Sequence, residues 1–223
     1  AAESPKSADV QLPGGTWVDA RYASVGAELP KGTMVLHIGD SFAGALGVDL
    51  NKALRERGLR SALEFQTATY IPTWAGSSEL PKFLDRYQPD LVLITLGANE
   101  LEITEPAQRA PTVRRLVKRL GDRPCVWIAP PLWGGKYNGL LEIIRDNAAP
   151  CRFMDSNAII RQMPRAGDHI HPSQAARKDW AQIVLSWLSQ ERAAQGARPW
   201  EFKASPMTPS APASSVSASA GSP

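Results

Sequence analysis

Three short clusters in this chain carry residue types that can move protons and attack electrophiles. The first is Gly39-Asp40-Ser41, the second Gly97-Ala98-Asn99-Glu100, the third Asp168-His169-Ile170-His171-Pro172. A serine hydroxyl becomes a nucleophile only when a base takes its proton. A histidine does this near neutral pH, and a carboxylate three residues away can orient its ring. Ser41, His171 and Asp168 supply one of each. An asparagine amide and backbone N–H groups can hold the negative charge that develops on an attacked carbonyl oxygen.

Each cluster also has a plainer reading. Asp and Ser are preferred helix-capping residues, so Gly39-Asp40-Ser41 alone describes a turn entering a helix. His171 alone could be a capped structural histidine. Asp168, His169 and His171 lack a third strong ligand at sensible spacing, so no metal site and no cofactor is expected. His37 lies inside an apolar run and reads as a buried or sheet-edge residue.

The elements around the clusters set their placement. Met34, Val35, Leu36 and Ile38 form an apolar strand, and Phe42, Leu46, Leu50 and Leu54 recur at helical spacing. Ser41 therefore sits at a strand-to-helix turn, beside unpaired N–H groups of a helix N-terminus. The asparagine cluster directly follows the strand Leu91-Val92-Leu93-Ile94. The histidine cluster precedes an amphipathic helix expected over 173–191. In order, strands are expected at 33–38, 60–66, 90–96, 125–129 and 151–154. Helices are expected at 42–57, 78–87, from Pro111 to Gly121, 138–148 and 157–163, with a loop over 67–77. Strands separated by helices predict a parallel sheet covered on both faces, which binds ligands at the carboxyl ends of its strands.

The three clusters, in this order and context, resemble the SGNH (GDSL-type) hydrolase superfamily over roughly residues 33–190. The resemblance implies a three-layer, flavodoxin-like α/β fold whose five-stranded parallel sheet has the order 2-1-3-4-5. It implies a serine esterase with Ser41, Asp168 and His171 as its triad and an acyl-enzyme intermediate. The oxyanion donors would be the Ser41 N–H, the Asn99 amide and a glycine, for which Gly76 is the candidate. Asp40 would hold the turn or touch substrate. Trp74 and Trp133 follow strands and could wall a sugar ring, so a small-molecule or polysaccharide ester, probed first as an acetyl ester, is the expected substrate. An O-acyltransferase would use the same triad, and a non-catalytic binding domain would not need it.

Cys125 and Cys151 each open a strand in that order. Equivalent positions on adjacent strands lie about 4.8 Å apart, within reach of a disulfide. An even cysteine count and a first residue other than Met fit a mature secreted or periplasmic chain.

Composition narrows the remainder. The 223 residues are enough for one domain with a core. A net charge of +3 is too small to argue for nucleic acid, and no basic-aromatic interleaving supports it. Arg109, Arg114, Arg115, Lys118, Arg119 and Arg123 share their helical region with Val113, Leu116, Val117 and Leu120, as a solvated helix face would. No apolar stretch approaches the roughly 20 residues that span a bilayer. Three parts are expected: an extended arm over 1–32, the hydrolase-like domain over 33–202, and a disordered Ala/Ser/Pro-rich tail over 203–223.

Overall fold

The computed structural model describes residues 8–204. The expected tail lies, from Ser205 onward, outside the described residues. Short strands β1 (Asp9–Gln11) and β2 (Trp17–Asp19) come first. Strand β3 (Met34–Gly39) runs directly into helix α1 (Ser41–Glu56), followed by β4 (Arg60–Phe65). Helices α2 (Ile71–Gly76) and α3 (Glu79–Tyr87) precede β5 (Leu91–Thr95). Helix α4 (Ala110–Arg119), β6 (Cys125–Ile128), α5 (Leu140–Asn147) and β7 (Arg152–Met154) complete the regular alternation. A short helix α6 (Ser156–Ile159), strand β8 (Ile160–Gln162) and the long α7 (Gln174–Glu191) close the domain.

The central sheet has five parallel strands in the order β4-β3-β5-β6-β7, the expected doubly wound arrangement. Its three inner strands, β3, β5 and β6, are near-continuous buried runs because both faces are covered. Alternate residues feed two cores. Val35, Leu93, Val126 and Ile128 face the side packed by α1 and α7. Leu36, Ile38, Val92, Ile94 and Trp127 face the side packed by α2–α5. On α4, Val113, Leu116 and Val117 are buried while Arg114, Arg115 and Lys118 stay exposed, as for a solvated face. Among the described residues no helix is long and apolar enough to cross a membrane.

Glycine is needed where the chain passes the site. Gly39 has φ +154°, and a Cβ there would lie 2.0 Å from the Thr95 carbonyl oxygen. Gly44 on α1 lies against the Phe65 ring, 2.5 Å from where its Cβ would be, so the helix seats closely on β4. That contact offsets the helix-propensity cost of about 1 kcal/mol for a glycine.

Two local expectations change. Residues 71–76 form a helix, not a loop: Pro72 suits a first turn, Thr73 Oγ1 accepts the Tyr70 N–H at 3.3 Å, and Ile71 and Trp74 are buried. The segment expected as a helix over 157–163 ends at Ile159 and becomes β8, which pairs antiparallel with β2 in a separate sheet, β1-β2-β8. That pairing joins Val18 to Ile160, a partnership no local periodicity encodes. The arm is held further by Asp179 of α7, whose carboxylate accepts the Gly14 and Thr16 N–H groups at 2.9 and 3.1 Å.

Cys125 and Cys151 form a disulfide with a Cα–Cα distance of 4.6 Å. It joins the starts of neighbouring strands, at the sheet edge opposite Ser41. The bridge spans a sequence separation of 26. The chain-entropy treatment then gives about 3.5 kcal/mol of stabilisation. Reduction is expected to lower the melting temperature by roughly 10 °C, while the folded protein keeps its turnover. A scan with and without reductant, with thiols counted, checks this, and an unchanged melting point after full reduction would refute it.

Candidate active site

The β3–α1 junction sets the first side chain. Asp40 is the N-cap of α1, its Oδ1 accepting the Phe42 N–H at 2.8 Å, and Ser41 is the first helical residue. The helix thus begins one residue earlier than expected, and the half-buried Ser41 hydroxyl stands at its N-terminus.

The opposing side chains come from the tight turn before α7. His169 adopts φ +59°, which folds Asp168-His169-Ile170-His171 back on itself. Asp168 Oδ1 accepts the N–H groups of Ile170 and His171 at 2.9 and 3.0 Å. Its Oδ2 lies 2.6 Å from His171 Nδ1, and His171 Nε2 lies 2.8 Å from Ser41 Oγ. The bond to the His171 ring, then the two backbone N–H bonds, hold the Asp168 carboxyl well below the usual carboxylate range. An ionised carboxylate only accepts, so the Nδ1 proton faces Asp168. Nε2 is then the acceptor, and the Ser41 hydroxyl donates to it. This is the arrangement that lets the imidazole take the serine proton.

Phe42 packs against the His171 ring at 4.9 Å between centroids and stacks on Trp133 at 5.2 Å. Trp133 is half-buried at the rim of the site. Its loop is pinned by Asn157, which contacts Leu132 N and Pro130 O at 2.8 and 3.1 Å.

Asn99 lies on the short turn after β5. Its Nδ2 donates one hydrogen to the Thr69 carbonyl at 2.9 Å. An amide nitrogen carries two hydrogens, so the second remains for another acceptor. The turn is drawn toward Ser41 because Asp40 N–H donates to Thr95 O at 3.2 Å. Asp40 Oδ2 faces the Gly97 and Ala98 N–H groups without closing a hydrogen bond of good geometry. Glu100 is buried in the same turn; its Oε2 accepts the Ile71 N–H at 3.0 Å and its other oxygen pairs with Arg109.

Of three further expected site residues, Asp40 holds the turn beside Ser41, and Trp74 and Gly76 lie elsewhere. Asp40 is fully buried and caps the helix, so it cannot touch substrate. Trp74 belongs to the core on the α2–α5 side, its indole N–H bonded to Thr69 Oγ1 at 3.0 Å. Gly76 ends α2 on the flank where Arg119 binds the carbonyls of Trp74, Ala75 and Ser77. Among the described residues no hydrogen bond ties Gly76 to the Ser41 turn. His37 is buried, 2.9 Å from Thr95 Oγ1, and burial lowers it to about 3, so it stays neutral and outside the site.

Several solved structures share the central architecture of this chain. TesA matches with a TM-score of 0.56 and 21% identity, covering 71% of this chain and 98% of its own. A protein of the G-D-S-L family from Desulfitobacterium hafniense DCB-2 matches at 0.56 and 14%, covering 69% of this chain and 98% of its own. A catalytic mutant of Axe2, an acetylxylan esterase from Geobacillus stearothermophilus, matches at 0.52 and 17%, covering 71% and 94%. The chain shares the fold of these proteins, a five-stranded parallel sheet covered by helices. No family model and no curated protein sequence matches it.

Within this fold, two groups escaped the sequence reading. Ala68 follows β4 in a left-handed conformation, φ +55°, which glycine adopts more readily. Its neighbours Gln66 and Thr69 are bonded to Gly39 and Asn99, so the Ala68 N–H sits in the loop beside Ser41. An alanine carries no glycine signal in the sequence, whereas Gly76 does. Arg165 is the other. Its guanidinium binds the Ile170 carbonyl at 3.0 Å, the Pro131 carbonyl at 3.2 Å and the Leu132 carbonyl, tying the His171 turn to the Trp133 loop. A lone arginine in a Gly/Pro-rich segment gives no periodic cue.

Burial pushes the Asp40 carboxyl up to about 7, with the Glu100 charge adding to it and the Phe42 N–H opposing. A raised carboxyl binds more protons folded than unfolded, so stability falls as pH rises from about 4 to about 7. The loss is at most about 4 kcal/mol at roughly 1.4 kcal/mol per pH unit. Denaturant midpoints between pH 4.5 and 7.5 should decline, and Asp40→Asn should make that decline shallower. An equal slope in both proteins would assign the pH dependence to other groups.

Proposed function

We propose that the protein is a serine esterase that removes acyl groups, acetyl first among them, from a saccharide or cell-wall polymer. The hydrogen-bonded series Asp168–His171–Ser41 carries this reading. His171 Nε2 takes the Ser41 proton as Oγ bonds to the acyl carbon. The carbonyl oxygen becomes negative, and the donors assigned to it are the Ser41 N–H, the second Asn99 Nδ2 hydrogen and the Ala68 N–H. When the tetrahedral species collapses, His171 returns the proton to the departing alkoxide. Water then attacks the acyl-serine, giving its proton to His171, and the acid leaves as Ser41 is restored.

The half-buried Trp133 beside His171 supports a saccharide, since a sugar ring can lay its C–H face on an indole. Axe2, which shares the fold, is itself an acetylxylan esterase. The Cys125–Cys151 bridge supports placement in the periplasm or outside the cell, where disulfides persist. Hydrolysis of p-nitrophenyl acetate, run with and without a sugar acceptor, tests the reading. Free acetate as the product in both arms identifies an esterase. Acetylated sugar in the second arm identifies an O-acyltransferase using the same three residues.

A further inference from the structure

A pocket lies between the end of β4 and the faces of α2 and α3, with a volume of about 290 Å³. We propose that it is a subsite for one neutral sugar ring of the substrate, distant from the ring that carries the ester. This proposal rests on the saccharide-esterase reading above and names where its substrate is gripped.

Position comes first. The Gln66 N–H, at the pocket rim, donates to the Gly39 carbonyl at 3.0 Å, two residues before Ser41. Thr69, three residues further on, offers the carbonyl that holds Asn99. The loop 67–70, which carries the Ala68 N–H, runs from the pocket rim at Gln66 to the Thr69 carbonyl that holds Asn99. A substrate bound at Ser41 can extend over that loop into it.

The lining has the character that recognises a polyol. Half-buried Phe83 and the mostly buried Trp74 supply an apolar wall, and Phe65 stands 46% exposed beside it. The polar groups are not used up. The Gln66 side-chain amide has no partner among the described residues. Glu64 spends one carboxylate oxygen on the Tyr87 hydroxyl at 2.6 Å and keeps the other. The Thr73 and Ser77 hydroxyls accept backbone N–H groups and retain their own protons to donate. Donors, acceptors and an aromatic wall match the hydroxyls and C–H face of a sugar ring. A fatty acyl chain would strip water from Glu64 and Gln66 and return no hydrogen bonds. A volume near the small end of the ligand-pocket range, about 300 Å³, suits one ring and not a polymer segment.

The test separates this subsite from the chemistry. The full chain carrying Ser41→Ala, which binds without turnover, is titrated with xylotetraose, cellotetraose and chitotetraose. Chemical shifts are followed at the Gln66 side-chain amide and the Trp74 indole. At least one oligosaccharide is expected to move both signals. In the active protein, Gln66→Ala should raise KM for the matching O-acetylated tetrasaccharide about five- to tenfold, as loss of one hydrogen bond requires. Turnover of p-nitrophenyl acetate, too small to reach the pocket, should stay unchanged in that variant. If the protein hydrolyses p-nitrophenyl acetate but no oligosaccharide moves the Gln66 and Trp74 signals, the subsite is wrong and the esterase reading stands. A Gln66→Ala penalty on p-nitrophenyl octanoate, with none on the tetrasaccharide, would overturn it in favour of an acyl pocket. Oligosaccharide binding at these signals without any ester hydrolysis would retain the sugar site and discard the esterase.

Discussion

Ser41→Ala is expected to lower p-nitrophenyl acetate turnover on the order of 10⁶-fold, the scale at which serine triads lose function. The variant removes the oxygen that bonds to the acyl carbon, and its 2.8 Å contact to His171 Nε2 goes with it. His171→Ala should cost nearly as much, because a neutral hydroxyl without its base attacks slowly. The double variant should be little worse than either alone, since the two residues act as one unit. Folding should be almost untouched: the hydroxyl is half-buried and the cap of α1 belongs to Asp40. A fluorophosphonate should add mass to Ser41 in the parent protein and nowhere in Ser41→Ala. Full activity in Ser41→Ala, with an unchanged melting curve, would end the proposed mechanism.

Asn99→Ala carries the second largest effect, a fall in kcat of about 100- to 1,000-fold. In barrier terms this is roughly 3 to 4 kcal/mol, large for one donor because the charge it meets exists only in the transition state. The amide does two jobs here. One hydrogen binds the Thr69 carbonyl at 2.9 Å and keeps the loop 67–70 in place, and the other is assigned to the oxyanion. Loss of the side chain therefore also loosens the loop bearing the Ala68 N–H. Asn99→Asp keeps the shape and replaces donors by acceptors, so it should be at least as slow as Asn99→Ala. Rates equal to the parent in both variants, measured beside thermal melts, would leave Asn99 a purely structural role.

The local devices of this protein were legible as sequence. The apolar run ending in Gly39-Asp40-Ser41 demands a strand, a close turn and a capped helix, and each depends on neighbours within a few residues. Asp168 and His171 are three apart, so a single turn brings them together. Alternating strands and helices imply a parallel sheet, and the strand order that the family resemblance implies sets Cys125 beside Cys151. What the residues could not reveal involves partners far along the chain. Residues 160–162 become a strand only because β2 offers an edge about 140 positions earlier. Gly76 and Ala68 are both near the second strand in sequence. Arg119 of α4 holds the end of α2 that bears Gly76, while the Gln66–Gly39 and Asn99–Thr69 bonds hold the Ala68 loop beside Ser41. Trp74 and Trp133 are the same residue type after similar strands, yet Trp74 packs into the core with only 5% of its surface exposed and Trp133 stands half-buried at the rim. The fate of a large aromatic side chain depends on which face of its helix or loop meets the sheet, and that is decided when the layers pack, by burial summed over the whole domain.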